Sequence, residues 1–249
     1  MERFITDPEN YTFNDLQNND WDVVKLNIRF DNNQMKQWYD EIAEKNADEA
    51  LDLSVEGFEK MKVIYNKENL DLIETFYKNT TLGNGKQWTL QWSHQRRGVT
   101  PFIRLANPEL FPEVEDPDFV KKANENLEQY YFGFYKKYID LLGTDVFETN
   151  RIINFPNSSG IQTHTDIDEE HYLIRMHSQI QTSDNCYWIF GKPADETRKY
   201  PMEAGCVYLY NTGVPHAAFN YGTADWLMLH NNPTDESIDK LLSSNFYVD

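Results

Sequence analysis

At 249 residues and 29.4 kDa the chain is long enough to bury a sizeable core. Its 41 acidic and 23 basic residues give a formal net charge of -18, which repels polyphosphate and argues against nucleic acid or an anionic membrane as a partner. The opening MERFITDPEN lacks the basic and apolar regions of a secretory leader, and no run reaches the roughly 18 apolar residues of a membrane span, so a soluble, cytoplasmic protein is expected.

In chain order, WDVVKLNI (21–28) reads as an opening strand and NNQMKQWYDEIAEKN (32–46) as a helix with asparagine caps; KENLDLIETFYKN (67–79) reads as another helix. In QWTLQWSHQRRGVTPFIRL, His94 shares a face with Trp88, Leu90 and Trp92, and Arg96 and Arg97 form the strongest local cation pair of an acidic chain. His94, Arg96 and Arg97 are candidates to bind a substrate carboxylate; a solvated basic turn is the alternative. The clearest helix begins at DPDFVKKANENLEQYYFGFYKKYIDLLG. There Phe119, Ala123, Leu127, Tyr130, Tyr131, Phe134, Tyr138 and Leu141 recur at steps of three and four, Asp116 or Asp118 can cap the start, and Gly143 ends it. Such an aromatic stripe is read as a buttress packed behind a sheet.

From Val146 the pattern changes to short alternating runs, FETNRIINF, GIQTHTD, HYLIRMHSQIQ, CYWIFG, GCVYLYN, PHAAFNY and DWLMLHN, broken at PNSSG, TSDN, GKPADE, NTGVP and YGTA. That spacing is the mark of a sandwich or jelly roll. The expected fold is mainly β with N-terminal helices, a double-stranded β-helix core buttressed by helices. No Pro/Gly/Ser linker divides the chain, which reads as a single domain over 1–249: a helix-rich part over 1–145, the jelly-roll core over 146–232 and a C-terminal tail over 233–249. Cys186 and Cys206 are too few for a disulfide framework and lack zinc-site spacing, so both are expected as buried free thiols.

Along 171–181, alternation puts Tyr172, Ile174, Met176 and Ile180 on one face and His171, Leu173, Arg175, His177, Gln179 and Gln181 on the other. The apolar face can pack on the helices, leaving the polar face to line the interior or meet water. Just before it stands His164-Thr165-Asp166, an H-x-D pair, and His216 begins a late strand after a Gly-Val-Pro turn. Two neutral imidazoles and one carboxylate on a β scaffold leave three adjacent coordination positions open, which suits Fe(II) that must take O2 and a bidentate co-substrate together. H-x-D alone is common; the specific signal is the set of H-x-D, R-x-H and the late histidine. His164, Asp166 and His216 are the candidate metal ligands and catalytic centre, the alternative being a polar strand end and a turn histidine. Arg175 and His177 could equally be a surface pair beside Glu169; His171 reads as part of a solvated charge cluster, and His230 as either a core histidine or a ligand.

With these residues in place, the chain resembles the aspartyl/asparaginyl β-hydroxylase branch of the Fe(II)/2-oxoglutarate oxygenases, which also includes hydroxylases of free amino acids such as proline. The resemblance covers roughly residues 146–232, through His164, IRMHSQI, HAAFN and DWLMLHN, with an echo in DWDVVKLNIRFDNNQMKQW. It implies a jelly roll, Fe(II) and 2-oxoglutarate as cofactors, O2, and a small amino-acid-like or peptide substrate. It also implies that Arg175 and His177 bind the co-substrate carboxylate near the metal. Asp166 is retained, which favours hydroxylation or desaturation over halogenation. One position departs from the pattern: where the family carries an Arg for the distal carboxylate, this chain has Trp226. Arg151, Arg198, Tyr208 or His230 would then have to meet that charge, or the co-substrate lacks it. A cupin-like non-redox enzyme using Zn(II) or Mn(II), and a binding jelly roll without catalysis, stay open.

Overall fold

The computed structural model describes residues 3–45, 51–52, 86–91, 130–143, 147–166, 174–192 and 196–249. The chain opens with β1 (Phe4–Ile5), α1 (Phe13–Asn18) and β2 (Val23–Phe30), followed by α2 (Asn32–Lys45). α2 buries Met35, Trp38, Tyr39 and Ile42, a stripe at helical spacing. Its cap is not an asparagine: Asp31 Oδ1 accepts from the amides of Asn33 (2.9 Å) and Gln34 (3.1 Å), a carboxylate placed at the positive end of the helix.

α3 (Gly133–Leu142) carries the end of the expected aromatic stripe, whose start over 116–129 lies outside the described residues, and its seam departs from the expected one at the last turn. Phe134, Tyr135, Tyr138, Ile139 and Leu142 are buried, while Leu141 is 49% exposed. Gly133, at φ +57°, begins this helix after Phe132, and Tyr130 just before it is buried in the same cluster as Phe134 and Tyr138. The end is as expected, Gly143 at φ +103° taking up the left-handed geometry. Trp38 of α2 stacks on Tyr135 at 4.3 Å, and the Tyr138 hydroxyl meets Ser178 Oγ at 2.5 Å, which ties both helices to the sheet beneath. The expected helix over 67–79 lies outside the described residues.

The remaining elements are strands β3 (Leu51–Asp52), β4 (Lys86–Gln91), β5 (Phe147–Phe155), β6 (Ser159–His164), β7 (Ile174–Gln181), β8 (Cys186–Phe190), β9 (Arg198–Pro201), β10 (Cys206–Asn211), β11 (His216–Asn220) and β12 (Trp226–Pro233), then α4 (Asp235–Ser243) and β13 (Asn245–Val248). They form a larger sheet in the order β1-β2-β10-β7-β12-β5-β4-β3 and a smaller one in the order β6-β11-β8-β9. The architecture is mainly β: a jelly roll of two facing sheets with helices on the outer face of the larger one. β9 has no counterpart among the expected runs. In the segment 233–249, α4 packs into the helical side and β13 pairs in parallel with β2, sharing its outer edge with β1.

Both faces of the larger sheet are covered, and each has its own core. Ile174, Met176 and Ile180 of β7, with Leu227 and Leu229 of β12, join the helices in one cluster. Tyr208, Tyr210, Trp226 and Met228 join Trp188 and Phe190 of the smaller sheet in the other. Burying each large aliphatic chain contributes about 1.5–3 kcal/mol, so the three on β7 dictate which face turns to the helices. Arg175, His177 and Gln179 are thereby directed between the sheets. Cys186 and Cys206 are buried free thiols. Among the described residues no helix is long and apolar enough to cross a membrane.

Candidate metal centre and the polar interior

His164 ends β6 and His216 begins β11, and antiparallel pairing makes them direct cross-strand partners. Their rings stand 4.3 Å apart between centroids. Each imidazole is oriented by the chain two residues before it: His164 Nδ1 donates to the Gln162 carbonyl at 2.7 Å, and His216 Nδ1 donates to the Val214 carbonyl at 3.0 Å. With the proton on Nδ1, both Nε2 atoms present lone pairs, the arrangement usual for metal-binding histidines. Asp166 lies just past the strand, its amide donating to the Thr212 carbonyl at 3.0 Å, and its Oδ1 is 3.5 Å from His164 Nε2. One ligand atom from each of His164, Asp166 and His216 lies within 4.8 Å of the others. Burial first, then the charge of His164, lowers the His216 pKa to about 4, which keeps the imidazole neutral and its lone pair available at neutral pH. Two imidazole nitrogens and one carboxylate oxygen on rigid strand ends fit a divalent transition metal and leave open positions for other ligands.

A polar strip runs inward from this group along the larger sheet. Arg175 Nε is 3.6 Å from Asp166 Oδ2, its side chain mostly buried rather than on the surface. One rung further, His177 pairs across β12 with His230, and His230 pairs across β5 with Arg151. The side chains follow the register: His177 Nε2 is 2.6 Å from His230 Nδ1, and Arg151 Nη2 is 3.3 Å from His230 Nε2. Trp188 and Tyr210 pack on His177 at 4.9 and 4.7 Å, and Trp188 also faces His216 at 5.7 Å, so a continuous aromatic wall joins the strip to the candidate centre.

The residues considered for a distal carboxylate separate clearly. Arg198 is committed elsewhere: its Nε and Nη2 bind the fully buried Asp22 at 2.5 and 3.0 Å, with the Tyr200 hydroxyl at 2.7 Å. The Tyr208 hydroxyl accepts the Glu203 amide at 3.2 Å. Arg151 and His230 lie in the interior strip. Trp226 is fully buried and donates from Nε1 to Gln179 Oε1 at 2.6 Å, an apolar wall two residues before Met228 on the inner face. His94, Arg96 and Arg97, and likewise Glu169 and His171, lie outside the described residues. Nothing in the local sequence pattern marked Trp188 or Tyr210 as neighbours of the candidate centre; an inward alternation on CYWIFG and GCVYLYN was the available signal.

Burial, then the charge of Arg151, holds His177 and His230 well below the ordinary histidine range, so both are neutral in the native protein. On acidification the unfolded chain takes up protons there before the native one does. Stability therefore rises with pH and falls as the pH drops below the ordinary histidine value of about 6.5, by up to about 1.4 kcal/mol per pH unit for each histidine. In the metal-free protein the denaturant midpoint is expected to fall between about pH 7 and about pH 5, and to fall less in a His177→Phe, His230→Phe double variant. An identical pH dependence in the two proteins would contradict a neutral buried pair.

The fold and the site together define a jelly roll with a candidate two-histidine, one-carboxylate metal centre. No protein-family model matches the chain, and no curated protein matches it. Solved structures similar to it include an oxidoreductase of the 2OG-Fe(II) oxygenase family from Burkholderia pseudomallei, at 11% identity and a TM-score of 0.36, covering 79% of this chain and 89% of that one. A prolyl-4-hydroxylase from Pseudomonas putida matches at 10% identity and a TM-score of 0.42, covering 88% and 94%. A cupin domain from Bordetella pertussis matches at 14% identity and a TM-score of 0.27, covering 34% and 80%. At this similarity, function has to be read from the residues.

Proposed function

We propose that the chain is a mononuclear non-haem Fe(II), 2-oxoglutarate-dependent oxygenase, a hydroxylase of an amino-acid-like or peptidyl substrate. The observation that carries this reading is the pair of imidazoles tethered through Nδ1 to backbone carbonyls, each with one ligand atom within 4.8 Å of the others and of Asp166, which sits beside Arg175. His164, Asp166 and His216 would hold the metal, and a bound Fe(II) would supply oxidation by O2 coupled to decarboxylation of the 2-oxo acid. Arg175 would receive the carboxylate nearest the metal, its mostly buried guanidinium offering a planar fork to it. Its contact with Asp166 would also hold that carboxylate toward the two histidines. His94, Arg96 and Arg97 are proposed for a substrate carboxylate.

Trp226 favours a second reading, in which an iron oxygenase uses a co-substrate without a distal carboxylate. Anaerobic addition of 2-oxoglutarate to the Fe(II) protein separates the two. A metal-to-ligand charge-transfer band, followed by substrate-dependent succinate formation in air, is expected from the first. Absence of the band with 2-oxoglutarate, together with turnover that proceeds without it, would establish the second. A protein active with Zn(II) or Mn(II) in the absence of O2 would overturn both.

A further inference from the structure

Position 226 cannot form a salt bridge, yet a five-carbon 2-oxo diacid chelated at the candidate centre carries a second carboxylate that needs donors if it is to be buried. The interior strip supplies them by an indirect route. An arginine side chain can only donate, so the contact between Arg151 Nη2 and His230 Nε2 makes that nitrogen an acceptor. Neutral His230 then carries its proton on Nδ1, which lies 2.6 Å from His177 Nε2, and donates it there. His177, also neutral, must in turn carry its proton on Nδ1. That nitrogen is buried and has no partner among the described residues. The amide of Asn232, 3.2 Å from His230 Nε2, fits this order with its NH2 turned to the ring, the two ends of an amide being interchangeable by rotation.

A second buried donor accompanies the first. Trp188 Nε1–H also has no partner among the described residues, although an indole N–H buried in a protein ordinarily finds one. Its ring packs against both His177 and His216. His177, one rung inward from Arg175 on β7, and Trp188, packed against its ring, thus each hold a buried N–H without a partner among the described residues, the first fixed in tautomer by a chain that starts at a cation. An interior that already holds two guanidinium groups favours an anion there.

We propose that His177 Nδ1–H and Trp188 Nε1–H bind the distal carboxylate of the 2-oxo diacid, and that Arg151 and His230 are positioning residues which hold His177 in the donating tautomer. This rests on the co-substrate reading above and names the groups that do the work of the missing arginine. It also moves His177 from the metal-proximal carboxylate, where the resemblance puts it, to the distal one. Trp226 then acts as the wall beyond the carboxylate rather than its partner.

The test compares 2-oxoglutarate with pyruvate, which shares the chelating end and lacks the second carboxylate, by anaerobic titration of the Fe(II) protein followed through the charge-transfer band. Trp188→Phe keeps the ring and removes the donor. It is expected to weaken 2-oxoglutarate about tenfold, the worth of one hydrogen bond to a charged group, with pyruvate affinity unchanged. His230→Phe is expected to give the same selective loss. Equal losses for both acids, or none, would overturn the proposal. Nitrogen-15 correlation spectra of the metal-free protein supply a readout free of iron and turnover: His177 and His230 are both expected protonated at Nδ1, and an Nε2-protonated His177 would overturn the relay. If the wild-type protein gives no band with either acid, the co-substrate reading fails by itself. Calorimetric titration of the metal-free protein with glutarate then decides the donor assignment: binding that weakens about tenfold in Trp188→Phe supports it, and no binding or equal binding overturns it.

Discussion

Replacing His216 by alanine is expected to abolish Fe(II) binding and turnover together. The side chain supplies one of three candidate ligand atoms, and it is pre-oriented twice, by the Val214 carbonyl on Nδ1 and by the cross-strand pairing with His164. Loss of an outer partner of a metal ligand already costs about 10–100-fold in affinity, so removal of the ligand itself should exceed about 100-fold. The fold should survive, because the two sheets are held by Trp188, Phe190, Tyr210 and Trp226 around the imidazole rather than by a metal. Equilibrium dialysis with Fe(II) and a thermal melt measure both quantities. Wild-type iron affinity in a folded His216→Ala protein would remove the centre from this site.

Arg175→Gln is expected to weaken 2-oxoglutarate by about 30–100-fold or more while changing iron affinity only slightly. Removing one partner of a buried, hydrogen-bonded charge pair costs about 2–5 kcal/mol, chiefly because the remaining charge is left desolvated. Here that charge would be the metal-proximal carboxylate. Arg175 also touches Asp166, at 3.6 Å, so iron affinity is the control: the contact is longer than a direct hydrogen bond and should matter less. Parallel titrations of iron and co-substrate read the difference. Equal losses of the two would assign Arg175 to holding Asp166, with no part in recognising the co-substrate.

Alternation makes the inner and outer faces of β7 readable from its residues alone, because a strand side chain has only two directions and Ile174, Met176 and Ile180 claim one of them. Strand boundaries are legible in the same local way, with Gly, Pro and Asn marking the turns. The aromatic helix is less legible. Its stripe allows a step of three or of four after Tyr138, and packing takes the step of four, so Leu142 rather than Leu141 is buried. Asparagines beside α2 suggest caps, but the carboxylate of Asp31 competes better for the first amides.

The amino-acid sequence by itself determined the alternation that builds a β core, the acidic charge, and the presence of an H-x-D pair, an R-x-H strand and a late histidine. It could not determine which of these meet. His164 and His216 become neighbours only through the register of β6 on β11, and Arg151, His177 and His230 only through the register of β5, β12 and β7. Arg198 looked as available as Arg151 until the fold set it against Asp22, 176 positions away. Local periodicity encodes a side chain's direction, which neighbouring residues decide, whereas its partner depends on strand pairings between distant segments, selected by the burial of both faces of the sheet at once.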